Sequence, residues 1–192
     1  MNMRRLNDFY PTSESITRAL IERVPEIAIA KLILEPSAGD GAIDIVLSSY
    51  TKAEVFGFDI NPDFGYPVAD TTQDQFWETL GFQLQGDRPD WVITNPPFSN
   101  AHLIIPHAFN AAKTGIAMLL PTSWLQPAKG RGEWLSAHEE HISHLIIFGE
   151  PRPSFTDDRR TAMCTVAWIV WKKEKQRGCQ IHFARKWNQI PN

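Results

Sequence analysis

Short apolar runs, each closed by a turn-forming residue, recur along the chain. They are Ala30-Lys31-Leu32-Ile33-Leu34, Ala53 to Phe58, Asp90-Trp91-Val92-Ile93-Thr94, Ile116 to Leu120, Ser143 to Phe148 and Ala162 to Trp171. Their length and continuous apolar character predict buried strands. Tyr66 to Asp70 predicts a short strand, third in chain order, near a sheet edge because Pro67 has no N–H for a ladder. Gln180 to Trp187 predicts one more strand. Between the runs the apolar spacing changes to that of a helix. Ile16, Leu20, Ile21 and Val24 make one stripe, capped by Thr12 or Ser13 and stopped at Pro25. Ile43, Val46 and Leu47 make a second. Phe76, Trp77 and Leu80 make a third, with Thr72 and Gln75 arranged as a capping box and Gly81 as the stop. A fourth helix begins after Ser99 or Asn100 and ends before Gly115, with Pro106 expected to kink or restart it. A short fifth covers about Glu133 to Glu140.

Strands that alternate with helices give an α/β fold, with helices on both faces of a mostly parallel sheet. The last two long strands are joined without a helix, so they are expected to pair as an antiparallel hairpin. Sheets of this kind bind ligands at the carboxyl ends of their strands. Residues 35–41, 59–62, 70, 95–98 and 121–133 fall on that edge.

Length changes the picture little: 192 residues suit one domain, with no room for a second. The N-terminus lacks the apolar core of a signal peptide, and no run is long enough to span a bilayer. Only Cys164 and Cys179 occur, in no metal-ligand pattern. A reduced, cytoplasmic protein is expected. The net charge of −3 carries no global nucleic-acid signal. Its distribution is uneven: residues 151–192 hold nine Lys/Arg against three Asp/Glu, a net of +6 that leaves −9 for residues 1–150. A basic segment on an acidic body suits a phosphate backbone, and equally a set of solvated loop charges.

The chemistry concentrates at Asn95-Pro96-Pro97-Phe98. Two prolines fix φ twice and remove two donors, so the carbonyls of Asn95 and Pro96 point where the turn aims them. Asn95 adds a side-chain carbonyl and Phe98 a flat ring. Two acceptors beside a stacking face suit a planar amine such as the exocyclic amino group of a base. Gly39 and Gly41 follow the first strand and let a backbone approach a ligand, although a plain strand-to-helix turn has the same spacing. The third glycine of a dinucleotide fingerprint and the Lys-Ser/Thr of a phosphate loop are both missing. Asp59 ends the second strand, where an acid can hold both hydroxyls of a ribose. Asp70 ends the third. Acids at these positions disfavour phosphate, so the three loops describe a pocket for a nucleoside without phosphates.

These stretches resemble a known family, the S-adenosylmethionine-dependent methyltransferases of the amino-group class, specifically the small phage- and prophage-type DNA N6-adenine enzymes. Glu35-Pro36-Ser37-Ala38-Gly39-Asp40-Gly41 resembles their cofactor motif, Asn95-Pro96-Pro97-Phe98 their catalytic motif, and Phe9-Tyr10-Pro11-Thr12 an opening motif with Pro and Thr differently arranged. Pro121 to Leu125, Arg152 to Phe155 and Ala167 to Trp171 continue the likeness, so that it covers about residues 9 to 171. The resemblance implies a Rossmann-like methyltransferase fold with a mostly parallel seven-stranded sheet. It implies S-adenosylmethionine as cofactor, with Glu35, Gly39, Gly41, Tyr10 and Thr12 at its methionine end, Asp59 at its ribose, and Asp70 and Ile60 at its adenine. Asn95 and Pro96 would accept the target amine, Pro97 would hold the turn, and Phe98 would stack on an extruded base. The partner would be DNA, or RNA, and a phage-encoded chain would work in the host cytoplasm. Members that read a DNA sequence usually carry a recognition domain, for which 192 residues are expected to leave no room.

Base and backbone contacts are therefore expected from the loops 124–133 and 149–160: Trp124, Lys129, Arg131, Arg152, Arg159 and Arg160. Trp124 serves equally as a loop anchor. His138, His141 and His144 are spaced by three, but no Cys or Asp completes a metal set, so no metal is expected. Two other readings keep the same residues: amino-methyl transfer to RNA adenine or a protein glutamine, and a non-catalytic nucleic-acid-binding protein on the same scaffold.

Overall fold

Leu32 to Glu35 are all buried, as the apolar run requires of a strand covered on both faces. The computed structural model describes residues 11–128, 130–149, 153 and 165–185. Its strands are β1 (Leu32–Glu35), β2 (Glu54–Gly57), β3 (Trp91–Thr94), β4 (Gly115–Pro121), β5 (Ile142–Phe148), β6 (Val166–Lys172) and β7 (Gln180–Ala184). They form one seven-stranded sheet in the order β2-β1-β3-β4-β6-β5-β7. β6 runs against both of its neighbours, β4 and β5, and the other pairs are parallel. This is the expected Rossmann-like methyltransferase sheet with its antiparallel hairpin.

The helices are α1 (Glu14–Arg23), α2 (Ala42–Tyr50), α3 (Asp74–Gln83), α4 (Ala101–Ala111) and α5 (Gly132–Ala137). Strand alternation divides the core between the two faces. Ile33, Trp91, Ile93, Ala117 and Trp168 point one way, into a cluster with Ile16 and Leu20 of α1 and Ile43 and Leu47 of α2. Leu34, Val92, Met118 and Trp171 point the other way, toward Phe76 of α3, Ile105 and Phe109 of α4 and Leu135 of α5. Fully burying one such aliphatic side chain contributes roughly 1.5–3 kcal/mol. In-register pairing sets Glu35 beside Gly57, so the loops after β1 and β2 leave the sheet side by side.

Several local expectations change. Tyr66 to Asp70 forms only a single bridge, Asp59 to Val68, and the C-terminal β7 supplies the seventh strand instead. Pro67 cannot donate, and the Tyr66 ring turns away to lie over Gly41 and Gly57. The Thr72–Gln75 capping box does not form. Gln73 is the N-cap residue, and Thr72 donates N–H and hydroxyl to Asp70 Oδ1 at 3.0 and 2.6 Å. Gly81 does not stop α3, which runs to Gln83. The chain reverses at Gly86, whose φ is +90° and whose N–H reaches the Gly81 carbonyl at 2.7 Å. α4 passes through Pro106 without interruption. Ser13 and Asn100 hold the N-cap positions of α1 and α4, but neither side chain caps.

Gly115 offers a test of the packing at the start of β4. A Cβ there would run into the Trp171 carbonyl and come within 2.8 Å of Trp91 Cζ3, and neither can yield. Gly115→Ala is expected to cost about 1–3 kcal/mol. The loss should read as a lower denaturant midpoint at unchanged slope. Gly178→Ala, with open space around the added methyl, should leave the midpoint in place.

Candidate active site

The carboxyl ends of β1, β2 and β3 enclose a cleft of about 650 Å³. Thr12, Glu35, Gly39, Asp59, Ile60, Asp70, Asn95 and Pro97 stand on its wall, so residues separated by up to eighty-odd positions in sequence meet where the strand-end rule predicts. Ser37, Asp40 and Asn61, within the loops expected at that edge, also line it, as do Phe64, Thr71, Ser99, Asn100 and Ile104, which the sequence pattern did not single out as site residues. Phe64 arrives through a 3₁₀ turn, Pro62–Phe64, seeded by Asn61 accepting the Asp63 N–H at 3.0 Å. The Asn61-Pro62 step was the available signal for that turn.

The floor is tied together by Asp59. Its Oδ2 accepts the Gly39 N–H and its Oδ1 the Asn61 N–H, both at 2.8 Å. Gly39 (φ +56°) and Gly41 (φ +79°) are both left-handed. Only Gly39 faces the cleft. Gly41 starts α2 from behind, and a Cβ on it would meet the Tyr66 hydroxyl at 2.5 Å. Its glycine answers to backbone conformation and to Tyr66, and it does not stand on the cleft wall. Tyr66 in turn donates to Asp44 Oδ2 at 2.8 Å, and burial with that bond pushes its phenol well above the usual range.

Glu35 is 1% exposed, and its Oε2 has no hydrogen-bond partner among the described residues. Burial raises its carboxyl well above the usual range, and the nearby charges of Asp44, Asp40 and Asp59 add to this. Asp70 goes the other way: the Thr72 hydroxyl lowers it. Ile60 is a large apolar side chain left 51% exposed at the cleft. The described lining contains four acids, Glu35, Asp40, Asp59 and Asp70, and no Lys or Arg.

The Asn-Pro-Pro-Phe turn leaves β3 at Thr94. The Pro97 carbonyl accepts the Asn100 N–H at 2.9 Å, and the Pro96 carbonyl receives no backbone N–H among the described residues. Asn95 Nδ2 donates to Thr12 Oγ1 at 3.1 Å. Pro96 is buried, and Phe98 is half-buried against the α4 side of the core beside the cleft, not on its wall.

The candidates for substrate contact divide. Trp124 is buried (5% exposed), edge-on to Trp171 and covered by the Arg131 guanidinium. It anchors the loop and offers no free stacking face. Arg131 also donates to the carbonyls of Gln126 and Ser123, so it braces the same loop. Tyr10, Lys129, Arg152, Arg159 and Arg160 lie outside the described residues. Each histidine of the triplet has a local partner: His138 Nδ1 the Trp134 carbonyl, His141 Nδ1 the Lys172 carbonyl, and His144 Nδ1 the Ser143 hydroxyl.

Glu35 has a measurable consequence. An acid whose folded-state pKa is raised binds its proton more tightly folded than unfolded. Stability therefore falls as pH climbs from the ordinary carboxylate range through the raised value. Glu35→Gln removes that loss. The free protein should melt higher at neutral pH, by roughly 2–4 °C for each kcal/mol recovered, with a flatter dependence between pH 5 and 8. Equal melting profiles of the two proteins across that range would show that the buried carboxyl costs nothing.

No family model and no curated protein matches the chain. Solved structures do. The chain is similar to the methyltransferase subunit of a type I restriction-modification system from Streptococcus thermophilus, with a TM-score of 0.67 and 19% identity over 91% of this chain and 47% of the other. It is similar to a proposed class I S-adenosylmethionine-dependent methyltransferase from Listeria monocytogenes, at 0.63 and 12% over 98% of this chain and 69% of the other. A proposed RNA methyltransferase from Pyrococcus horikoshii matches at 0.61 and 17%, over 88% of both. The chain spans about half the length of the type I subunit. At these identities the likeness is one of architecture, and the architecture is that of the class I S-adenosylmethionine-dependent methyltransferases.

Proposed function

We propose that this chain transfers a methyl group from S-adenosylmethionine to the N6 amino group of adenine in DNA. The observation that carries the reading is the position of Asn95-Pro96-Pro97. The turn closes β3 and puts Asn95 and Pro97 on the wall of a cleft lined by acids and free of cationic side chains among the described residues.

The residues present fit the cofactor. The buried Glu35 Oε2, without a partner among the described residues, suits an ammonium group. Asp59 keeps lone pairs beyond its two backbone bonds for ribose hydroxyls, the exposed Ile60 can cover an adenine ring, and Asp70 can accept its amine. When bound, the cofactor supplies an electrophilic methyl on a sulfonium. The acidic lining favours that cation over the uncharged thioether product. Asn95 Oδ1 and the Pro96 carbonyl accept the two hydrogens of the target amine, and drawing on both takes the nitrogen lone pair out of conjugation with the ring. Catalysis is then positioning and electrostatics. Phe98 would meet the base through the exposed part of its ring, and Lys129, Arg152, Arg159 and Arg160 would meet phosphates.

DNA is favoured by the catalytic tetrapeptide and by the type I modification subunits among the similar structures. RNA adenine is the second reading, because the proposed RNA methyltransferase is of matching length. Incubation with methyl-labelled cofactor and, separately, duplex DNA, single-stranded DNA and RNA, followed by digestion to nucleosides, decides between them. Labelled N6-methyldeoxyadenosine is expected, falling by at least about 100-fold in Asn95→Ala. Label confined to ribonucleosides or protein overturns the DNA assignment. Label that survives Asn95→Ala overturns the catalytic one. Calorimetry adds a check on the cofactor side: Asp59→Ala should lose binding.

A further inference from the structure

We propose that Thr12 is a positioning residue whose hydroxyl fixes the Asn95 carboxamide with Oδ1 turned toward the target amine. The inference rests on the methyl-transfer reading of the cleft. A carboxamide has one accepting end and one donating end of nearly equal size, and its terminal torsion is broad and roughly two-fold. Flipped, it would offer an NH2 group to an amine that must itself donate. Something must therefore hold the donating end. Asn95 Nδ2 meets Thr12 Oγ1 at 3.1 Å, across 83 positions of sequence.

Thr12 is well placed to decide the orientation. It is 5% exposed, so water competes poorly for its hydroxyl. Its branched β-carbon limits χ1. The segment that follows it is tied to the core: α1 opens with the Ile16 N–H on the Ser13 carbonyl at 3.0 Å. The Trp168 indole N–H then clamps the Ile16 carbonyl at 2.9 Å, with both residues almost fully buried. The target-facing Asn thus takes its backbone from β3 and its side-chain orientation from the segment before α1. A contact at the methionine end of the cofactor would instead make Thr12 a binding residue, and the two roles separate experimentally.

The test compares the full chain with Thr12→Val, Thr12→Ser, Asn95→Ala and the double variant Thr12→Val/Asn95→Ala. Three quantities are read: cofactor Kd by calorimetry, single-turnover methyl transfer to duplex DNA at saturating cofactor, and the side-chain amide resonances of Asn95, assigned by their loss in Asn95→Ala. Thr12→Val should cut the saturated rate about 10- to 100-fold, as a misaimed acceptor does, with Kd unchanged. Thr12→Ser should recover most of the rate. Thr12→Val should have no further effect in the Asn95→Ala background. The Asn95 amide resonances should move in the Val variant and stay in the Ser variant. Weaker cofactor binding with an intact saturated rate overturns the proposal and makes Thr12 a cofactor ligand. Unmoved amide resonances in Thr12→Val overturn it as well. Should the unaltered chain transfer no methyl to any nucleic acid, the functional reading fails, and the amide resonances still decide whether the Thr12 hydroxyl holds the Asn95 carboxamide: moved in Val and kept in Ser supports it, unmoved overturns it.

Discussion

The Asp59 carboxylate accepts the Gly39 N–H on one side and the Asn61 N–H on the other. Hydrogen bonds to a charged group contribute on the order of 1.5–3 kcal/mol each. Their larger effect here is geometric. Gly39 belongs to the loop after β1 and Asn61 to the turn after β2, so one side chain locks two strand ends into a common floor. The in-register pairing of Glu35 with Gly57 brings those ends together, and Asp59 keeps them there. Ile60, Phe64 and Asp70 reach the cleft through the turn that Asp59 holds.

That floor concentrates negative charge. Burial and the nearby charges of Asp44, Asp40 and Asp59 raise the proton affinity of Glu35, whose Oε2 has no partner among the described residues. A folded protein retains such a group at a cost in stability. The cost is intelligible if the site is shaped for a cation that arrives later. The same charge works against phosphate, so the cleft differs in kind from the dinucleotide sites built on related sheets.

The opposite wall is neutral and works by aim. Two prolines orient carbonyls, the Pro97 carbonyl is used to start α4, and Asn95 is held at its amide nitrogen by Thr12. On the proposed reading, charge would hold one reactant and fixed dipoles the other. The Trp168 bond to Ile16 links this wall to the centre of the core, since it fixes the helix that follows Thr12.

Much of this was legible in the chain. Continuous apolar runs specify strands buried on both faces, and their alternation with helical stripes specifies a parallel sheet, because parallel neighbours need crossovers. The strand-end rule then selects Glu35, Asp59 and Asn95 as neighbours without any knowledge of distance. Local rules failed where tertiary packing offered a better partner. The Tyr66 ring found a seat over Gly41 and Gly57, so Tyr66 to Asp70 never became a strand. Thr72 turned to Asp70 and left Gln75 uncapped. Of the two readings open for Trp124, packing against Trp171 and Arg131 favours the loop anchor. The sequence by itself determined the sheet, its hairpin and the Asn-Pro-Pro-Phe turn that closes β3, because periodicity and proline geometry are local properties of the chain. Tertiary structure alone decided that Gly41 serves Tyr66, that Phe98 sits beside the cleft, and that Thr12 meets Asn95. Each of those outcomes depends on which side chain arrives from a distant segment, and no local pattern encodes that.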